Sequence, residues 1–113
     1  MKILHNPRCR KSREGLKILE DSGLQFEIID YLNDPLSKEE IKDLLSKLGL
    51  EPIDLVRKNE AIWKENYKGK TLSADQIVSA LAKHPKLIER PVVVVGNKAM
   101  VGRPPENILK ILP

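Results

Sequence analysis

The chain has 113 residues, of which 41% are hydrophobic and 32% are charged, and its formal net charge is +4. These values are typical of one soluble globular domain, and no apolar run is long enough to span a membrane. A single cysteine excludes an internal disulfide, and one cysteine with two histidines far apart in the sequence cannot form a zinc site. Met1–Leu4 runs directly into polar residues, which indicates no secretory signal. We therefore expect a reducing, cytoplasmic setting. The four aromatic residues do not alternate with basic ones, which argues against nucleic acid as a partner.

The first thirty residues predict a strand, a helix and a second strand. Residues 2–5 form a short apolar strand, and the spacing of leucines predicts a helix over residues 10–22. Gly23 is suited to end that helix in the left-handed conformation. Residues 26–29 are apolar enough for a second strand. A βαβ unit of this length places its two strands parallel.

The middle of the chain predicts a block of helices. Ser37 with Glu40 and Ser73 with Gln76 both have the spacing of a capping box, which marks a helix start. The predicted helices run from Ser37 to Gly49, from 51 to 56, from 59 to 67, with Trp63 facing inward, and from Ser73 to His84-Pro85. The block covers residues 34–88.

The last third predicts a hairpin and a helix. Val92–Val95 reads as a buried strand, Gly96-Asn97 as a two-residue turn, and Lys98–Val101 as the returning strand. A final helix begins at Pro104-Pro105 and carries Ile108, Leu109 and Leu112.

These elements predict an α/β fold of the thioredoxin-like class. It is a mixed four-stranded sheet in the order βαβ…ββα, with a helical insertion after the second strand. We expect residues 1–113 to form a single thioredoxin-like domain and residues 34–88 to form a helical insertion lobe within it.

Cys9 lies where the first strand passes into the first helix. A helix start carries unpaired N–H groups and a partial positive charge, which favour a thiolate over a thiol and attract oxyanions. Four cations lie within four positions of the sulfur: Arg8, Arg10, Lys11 and Arg13. The segment is thus a candidate for a nucleophilic sulfur with an anion site beside it. The alternative is a loop cysteine on a basic, solvated helix face.

Four motifs carry a family resemblance over nearly the whole chain. They are His5-Asn6-Pro7-Arg8-Cys9 with Ser12-Arg13, Leu55-Val56-Arg57-Lys58-Asn59, His84-Pro85-Lys86-Leu87-Ile88-Glu89-Arg90-Pro91, and Gly102-Arg103-Pro104-Pro105-Glu106. With these motifs the sequence resembles the glutaredoxin-coupled arsenate reductase family, including its short bacterial homologues. The same family contains the Spx-type transcription regulators.

The resemblance implies an oxidoreductase of arsenic detoxification. Cys9 would attack arsenate, while Arg57, Arg90 and Arg103 would hold the oxyanion and the covalent intermediate. His5 would help to set the pKa of the cysteine. The resemblance further implies no bound cofactor, glutathione as co-substrate and glutaredoxin as partner.

The resemblance also implies that Pro91 is a cis proline facing the cysteine. The predicted hairpin independently places Arg90, just before one strand, and Arg103, just after its partner, at the same end of the sheet. Guanidinium groups suit tetrahedral oxyanions because they donate two hydrogen bonds at once. Arg57 is singled out by the resemblance alone.

Each supporting residue also has a purely structural interpretation. Arg57 and Arg90 could be surface ion-pair partners, and His5 could be a hydrogen-bonded histidine at a strand end. Asn6 and Ser12 could be plain helix caps, or donors to the sulfur.

Two positions depart from expected patterns. Arg10 follows the cysteine where the family has a small residue, and it would either tighten anion binding or crowd an incoming thiol. Ser12 stands where a Cys-x-x-Cys protein has its second cysteine, so redox turnover would need an outside thiol. The competing functions are a non-catalytic Spx-like module that binds RNA polymerase and a glutathione-dependent thiol reductase with another substrate.

Overall fold

A mixed four-stranded sheet is the centre of the computed structural model, which describes all residues 1–113. The strands are β1 (Lys2–Leu4), β2 (Glu27–Ile29), β3 (Val92–Val95) and β4 (Lys98–Val101). Their spatial order is β2-β1-β3-β4. β1 is parallel to β2 and antiparallel to β3, and β3 is antiparallel to β4. The predicted fold class is confirmed.

Helix α1 (Arg10–Ser22) connects the two parallel strands. Gly23 ends it with a φ of 74°, in the left-handed conformation expected from the sequence. Leu19 is fully buried on the face of α1 that meets the sheet. The central core cluster consists of Ile3, Leu19, Val93 and Ile108. Apolar residues of the first strand, the first helix, the hairpin and the C-terminal segment therefore share one core.

The β3–β4 hairpin has the two-residue turn that the sequence predicts. Val95 pairs with Lys98, and Gly96 has a φ of 61° while Asn97 has a negative φ. A positive φ at the first central residue alone is the pattern of a type II′ turn, in which glycine is preferred. This turn fixes the register that pairs Val92 with Val101 at the other end of the hairpin.

The last helix is a 3-10 helix, Pro105–Lys110, and not an α-helix. Side chains three residues apart lie above one another in such a helix. Pro105 and Ile108 therefore share the buried face, whereas Leu109 is 59% exposed. A segment of only six residues with prolines at its start forms few α-helical hydrogen bonds, so the α-helix has little advantage over the 3-10 helix here. The apolar spacing alone therefore did not reveal the helix type.

The chain divides into two compact units. The first comprises Met1–Asn33 and Arg90–Pro113, and the second comprises Asp34–Glu89. The first unit thus contains the sheet, α1 and the C-terminal 3-10 helix, and the second contains the helices predicted for residues 34–88.

The second unit is built from short helices with sequence-encoded ends. They are α2 (Lys38–Leu48), a 3-10 helix (Pro52–Leu55), α3 (Ala61–Asn66), α4 (Ala74–Lys83) and a 3-10 helix (Pro85–Leu87). Both predicted capping boxes are formed, at Ser37 and at Ser73. Trp63 is buried, as predicted. No helix of the protein combines the length and the apolar character that crossing a bilayer requires.

Candidate active site

Cys9 is the N-cap residue of α1. Its backbone is extended, with φ −96° and ψ 122°, and the helix begins at Arg10. The preceding turn is held by Asn6, whose backbone carbonyl accepts from the N–H of Cys9 at 3.0 Å. The side-chain Oδ1 of Asn6 accepts from the N–H of Arg8, also at 3.0 Å. These bonds present the half-buried sulfur at the positive end of the helix dipole.

Arg103 is placed against this sulfur by the hairpin. Its Nη2 donates to Cys9 Sγ at 3.6 Å, and its Nε donates to the backbone carbonyl of Arg90 at 2.9 Å. The N–H of Gly102 donates to the carbonyl of Pro91 at 2.8 Å and extends the pairing of β3 with β4 beyond the strands. Arg90 and Arg103 therefore leave the sheet at the same end, as the hairpin predicts, and that end carries the cysteine.

The pKa of the Cys9 thiol is lowered from its ordinary value. Burial of the sulfur is the largest single influence and raises the pKa. It is outweighed by the backbone N–H of Ser12, by the hydrogen bond and positive charge of Arg90, and by the backbone N–H of Lys11, all of which lower it. The helix start and a guanidinium group thus together favour the thiolate, which is the nucleophilic form.

His5 and Ser12 form a buried hydrogen-bonded pair behind the cysteine. His5 Nδ1 lies 2.7 Å from Ser12 Oγ, and the same hydroxyl accepts from the N–H of Asn6 at 2.9 Å. Burial lowers the pKa of His5, the Ser12 contact raises it, the charge of Arg13 lowers it, and the net shift is downward. The imidazole is therefore neutral at neutral pH.

Neither Asn6 nor Ser12 acts as a helix cap. Cys9 occupies the N-cap position, and Asn6 instead closes the turn before it. The hydroxyl of Ser12 is bonded to His5 and Asn6, so it is not a donor to the sulfur, although the backbone N–H of Ser12 does stabilise the thiolate. The capping interpretation was wrong because a side chain that reaches seven residues back leaves no local sequence signal.

Pro91 follows Arg90 through a cis peptide bond, as the resemblance implies. Its ring is packed so tightly that glycine is required on two sides. A Cβ atom built on Gly15 would lie 2.7 Å from Pro91 Cγ, and one built on Gly102 would lie 2.9 Å from it. Sequence reasoning missed both residues, although a glycine inside a predicted helix is a recognised sign of close packing.

Arg57 belongs to the second unit. Its backbone N–H donates to the carbonyl of Leu87 at 2.7 Å, and its Nε lies 3.8 Å from a carboxylate oxygen of Glu60. The role in anion binding that the resemblance implies for Arg57 stays a prediction. His84 is the C-cap residue of α4 and makes an edge contact with the ring of Tyr67, with 6.1 Å between ring centroids.

The chemistry available at this site is that of a thiolate beside guanidinium groups. The structure contains no group of three or more His, Cys, Asp or Glu side chains arranged to hold a metal ion. A thiolate can attack an electrophilic centre, and the guanidinium of Arg103 can bind an oxygen anion on that centre.

Comparison with known proteins decides the family. The model of the ArsC family matches residues 4–111. The chain belongs to the ArsC family. An ArsC-family relative from Neisseria meningitidis, named arsenate reductase, is 43% identical over 114 residues, covering 99% of this chain and 97% of that protein. A protein of Escherichia coli that is described as uncharacterized is also 43% identical over 114 residues, covering 99% and 96%.

A solved structure shares the architecture. The arsenate reductase from Vibrio cholerae superimposes on this chain with a TM-score of 0.93 and 46% sequence identity, covering 99% of this chain and 98% of that one. The thioredoxin-like fold predicted from the sequence is thus the fold of an ArsC-family neighbour.

Proposed function

We propose that this ArsC-family protein reduces arsenate to arsenite, with Cys9 as the nucleophile and Arg90 and Arg103 as ligands of the oxyanion. The observation that carries the proposal is the contact of Arg103 Nη2 with Cys9 Sγ, at 3.6 Å, at the start of a helix. The lowered pKa of Cys9 supports it, as do the relatives named arsenate reductase. The nucleophile would then attack arsenic while the guanidinium groups bind oxygens of the same substrate molecule.

In the first step the thiolate of Cys9 forms a bond to arsenic. One arsenate oxygen takes up protons and leaves as water, so arsenic remains in its pentavalent state. Arg103 and Arg90 would bind the remaining oxygens and neutralise their charge as the sulfur approaches. Without them the anionic thiolate and the anionic substrate would repel each other.

The second step transfers two electrons, and these come from thiols. An incoming thiol attacks the intermediate, two sulfurs join in a disulfide, and arsenic leaves in the trivalent state as arsenite. A further thiol then returns Cys9 to its free form by exchange. We propose glutathione as the thiol and glutaredoxin as the protein that supplies reducing equivalents. A reaction that consumes thiols fits a reducing compartment, which is the cytoplasmic setting expected from the sequence.

The test is arsenate-dependent oxidation of NADPH, coupled through glutathione reductase, glutathione and glutaredoxin. Cys9→Ser should abolish turnover while circular dichroism stays unchanged. Arg90→Ala and Arg103→Ala should weaken arsenate binding far more than Lys110→Ala, which removes an exposed charge of the same unit.

Four outcomes are informative. Turnover that requires both arsenate and Cys9 would establish the reaction and its nucleophile together. Turnover that persists in Cys9→Ser would show that Cys9 is not the nucleophile. Equal effects of the three alanine variants would mean that Arg90 and Arg103 contribute only surface charge and do not bind the oxyanion. An unreactive thiol in an inactive protein would favour a non-catalytic, Spx-like binding module.

A further inference from the structure

The net charge of the protein is concentrated around Cys9. The first unit has ten Lys and Arg against six Asp and Glu, a net charge of +4, whereas the second unit has ten of each and is neutral. Within the first unit, residues 8–14 with Arg90 and Arg103 contribute six cations and one carboxylate, a net charge of +5. The rest of that unit has four lysines and five acidic residues, a net charge of −1.

Four of these cations are exposed and lie within four positions of Cys9 in the chain. We call them the cationic collar: Arg8, Arg10, Lys11 and Arg13, all of them exposed. Arg10 and Lys11 are the first two residues of α1, directly after the N-cap residue Cys9. Because an α-helix rises by about 1.5 Å per residue, the backbone of Arg13 lies only roughly 6 Å along the axis from that of Cys9. The collar residues of the helix, Arg10, Lys11 and Arg13, thus have their backbones within about 8 Å of that of Cys9 along the helix axis, and about 8 Å is the Debye length at physiological ionic strength.

The collar is partly neutralised by one carboxylate. Glu14 Oε1 lies 3.1 Å from Arg10 Nε, and Glu14 Oε2 lies 3.6 Å from Lys11 Nζ. The collar with Glu14 therefore keeps a net charge of +3. The Arg10 side chain is 83% exposed and is paired with a residue one turn along the helix, which argues against its crowding the sulfur.

We propose that the cationic collar determines which thiol reacts at Cys9, favouring a small thiol that carries carboxylates over small thiols that are neutral or cationic. The inference rests on the proposed function, in which an outside thiol is the second substrate. It adds to that function the residues that select this substrate and the property by which they select it.

The physical reason is the geometry of the attack. A thiol that reaches Cys9 Sγ brings its carboxylates into the field of the collar, whose residues lie within four positions of Cys9 in the chain. Attraction between an anionic reactant and a surface of net positive charge raises the encounter rate and falls steeply with added salt. The attacking species is the thiolate, so a thiol with a carboxylate attacks as a dianion, a neutral thiol as a monoanion and a thiol with an ammonium group without net charge. The attraction to the collar therefore decreases in that order.

The test uses thiol–disulfide exchange and needs no arsenate. Cys9 is first converted to its mixed disulfide with dithiodipyridine, whose thiopyridyl group is neutral. An attacking thiolate bonds to Cys9 Sγ, the bond from Sγ to the thiopyridyl sulfur breaks, and thiopyridine leaves with the electron pair and takes up a proton. The attacking thiol is oxidised to a disulfide, thiopyridine is reduced, and its absorbance gives the rate.

The probes are mercaptoacetate, mercaptoethanol and cysteamine, which are anionic, neutral and cationic. Each rate is divided by the rate of the same thiol with dithiodipyridine itself, which cancels differences in thiol reactivity. At low salt, mercaptoacetate should exceed mercaptoethanol by about tenfold in the normalised rate, with cysteamine slowest, and the differences should shrink as salt is added.

Three variants assign the effect to the collar. Arg10→Gln with Lys11→Gln should lower the preference for mercaptoacetate severalfold. Glu14→Gln removes the carboxylate that pairs with Arg10 and Lys11 and should raise the preference for mercaptoacetate. Lys17→Gln is the matched control, because Lys17 forms a comparable pair with Asp21 at 3.5 Å but lies two turns from Cys9. This control should leave the preference for mercaptoacetate unchanged.

Within one variant, the ratio of the normalised rate of mercaptoacetate to that of mercaptoethanol is unaffected by changes in the pKa of Cys9, because both thiols attack the same protein disulfide. Equal normalised rates for the three thiols in the wild type would overturn the proposal. So would a preference that survives the replacement of all four collar cations by glutamine, since it would then belong to Arg90 and Arg103. If the three thiols react equally but arsenate turnover is normal, the proposed function is supported and the role of the collar is refuted. If mercaptoacetate is preferred but arsenate is not turned over, the role of the collar is supported and the proposed function is refuted.

Discussion

Replacing Arg103 by glutamine should raise the pKa of Cys9. The substitution keeps a polar side chain but removes the positive charge that lies 3.6 Å from Cys9 Sγ. A nearby cation stabilises the thiolate relative to the thiol, so its removal disfavours the charged form and moves the titration to higher pH. Lys110→Gln removes an exposed charge elsewhere in the same unit and is the control.

The size of the shift follows from the distance. Two unit charges 3.6 Å apart attract each other by roughly 1 kcal/mol in bulk water and by more in a partly buried site. Since Cys9 is only half-buried, the value near the water limit applies. A loss of about 1 kcal/mol corresponds to a roughly fivefold lower ratio of thiolate to thiol, so we expect alkylation at pH values below the midpoint to slow by about fivefold.

The assay is the rate of Cys9 alkylation by iodoacetamide as a function of pH. The wild type should show a midpoint below that of an ordinary cysteine, and Arg103→Gln should shift this midpoint upward with the same plateau at high pH. A lower plateau with an unchanged midpoint would mean that Arg103 affects access to the sulfur and not its ionisation. That result would refute the electrostatic reasoning.

Three further predictions concern residues around the site and in the second unit. The buried His5 has a pKa below its ordinary value of 6.5, so the unfolded chain binds a proton that the folded chain does not, and stability should fall as the pH drops below 6.5. Urea midpoints across pH should show this loss in the wild type and a weaker one in His5→Gln. Ser12→Ala leaves His5 Nδ1 and the N–H of Asn6 without their buried partner, so it should destabilise the fold by about 1–3 kcal/mol in urea unfolding. The alkylation midpoint of Cys9 should stay nearly unchanged because the backbone N–H of residue 12 remains. Arg57→Ala should raise the KM for arsenate more than Lys58→Ala, and equal KM values would mean that Arg57 serves only its ion pair with Glu60.

The parts of the fold that depend on local sequence signals were predictable. The capping box at Ser37, the left-handed Gly23 and the two-residue turn at Gly96 each have a physical cause within a few residues, and the structure has all three. The hairpin then determined where Arg103 emerges. The helix type of Pro105–Lys110 was not predictable, because an apolar spacing of three to four residues fits both an α-helix and a 3-10 helix.

The candidate site was predictable only as far as its sulfur and its hairpin arginines. The bond of Ser12 to His5 joins residues seven apart, across a turn whose shape is decided by Asn6. The tight contacts of Gly15 and Gly102 with the Pro91 ring depend on how three separate segments pack. Such contacts have no short-range pattern, so the sequence offered Ser12 only as a helix cap or a donor to the sulfur and not as a partner for His5.

The environment of Ser12 bears directly on how the site can turn over. In a Cys-x-x-Cys protein the second sulfur resolves the intermediate on the first, and here that position holds a hydroxyl that is fully buried and engaged by both His5 and Asn6. The oxygen cannot form a disulfide, and this protein has no other cysteine that could. In the proposed reaction every intermediate on Cys9 would therefore be resolved by a thiol that arrives from solvent. Because that thiol must approach across a surface of net charge +3, formed by the collar and Glu14, the charge of the thiol becomes part of the reaction's specificity.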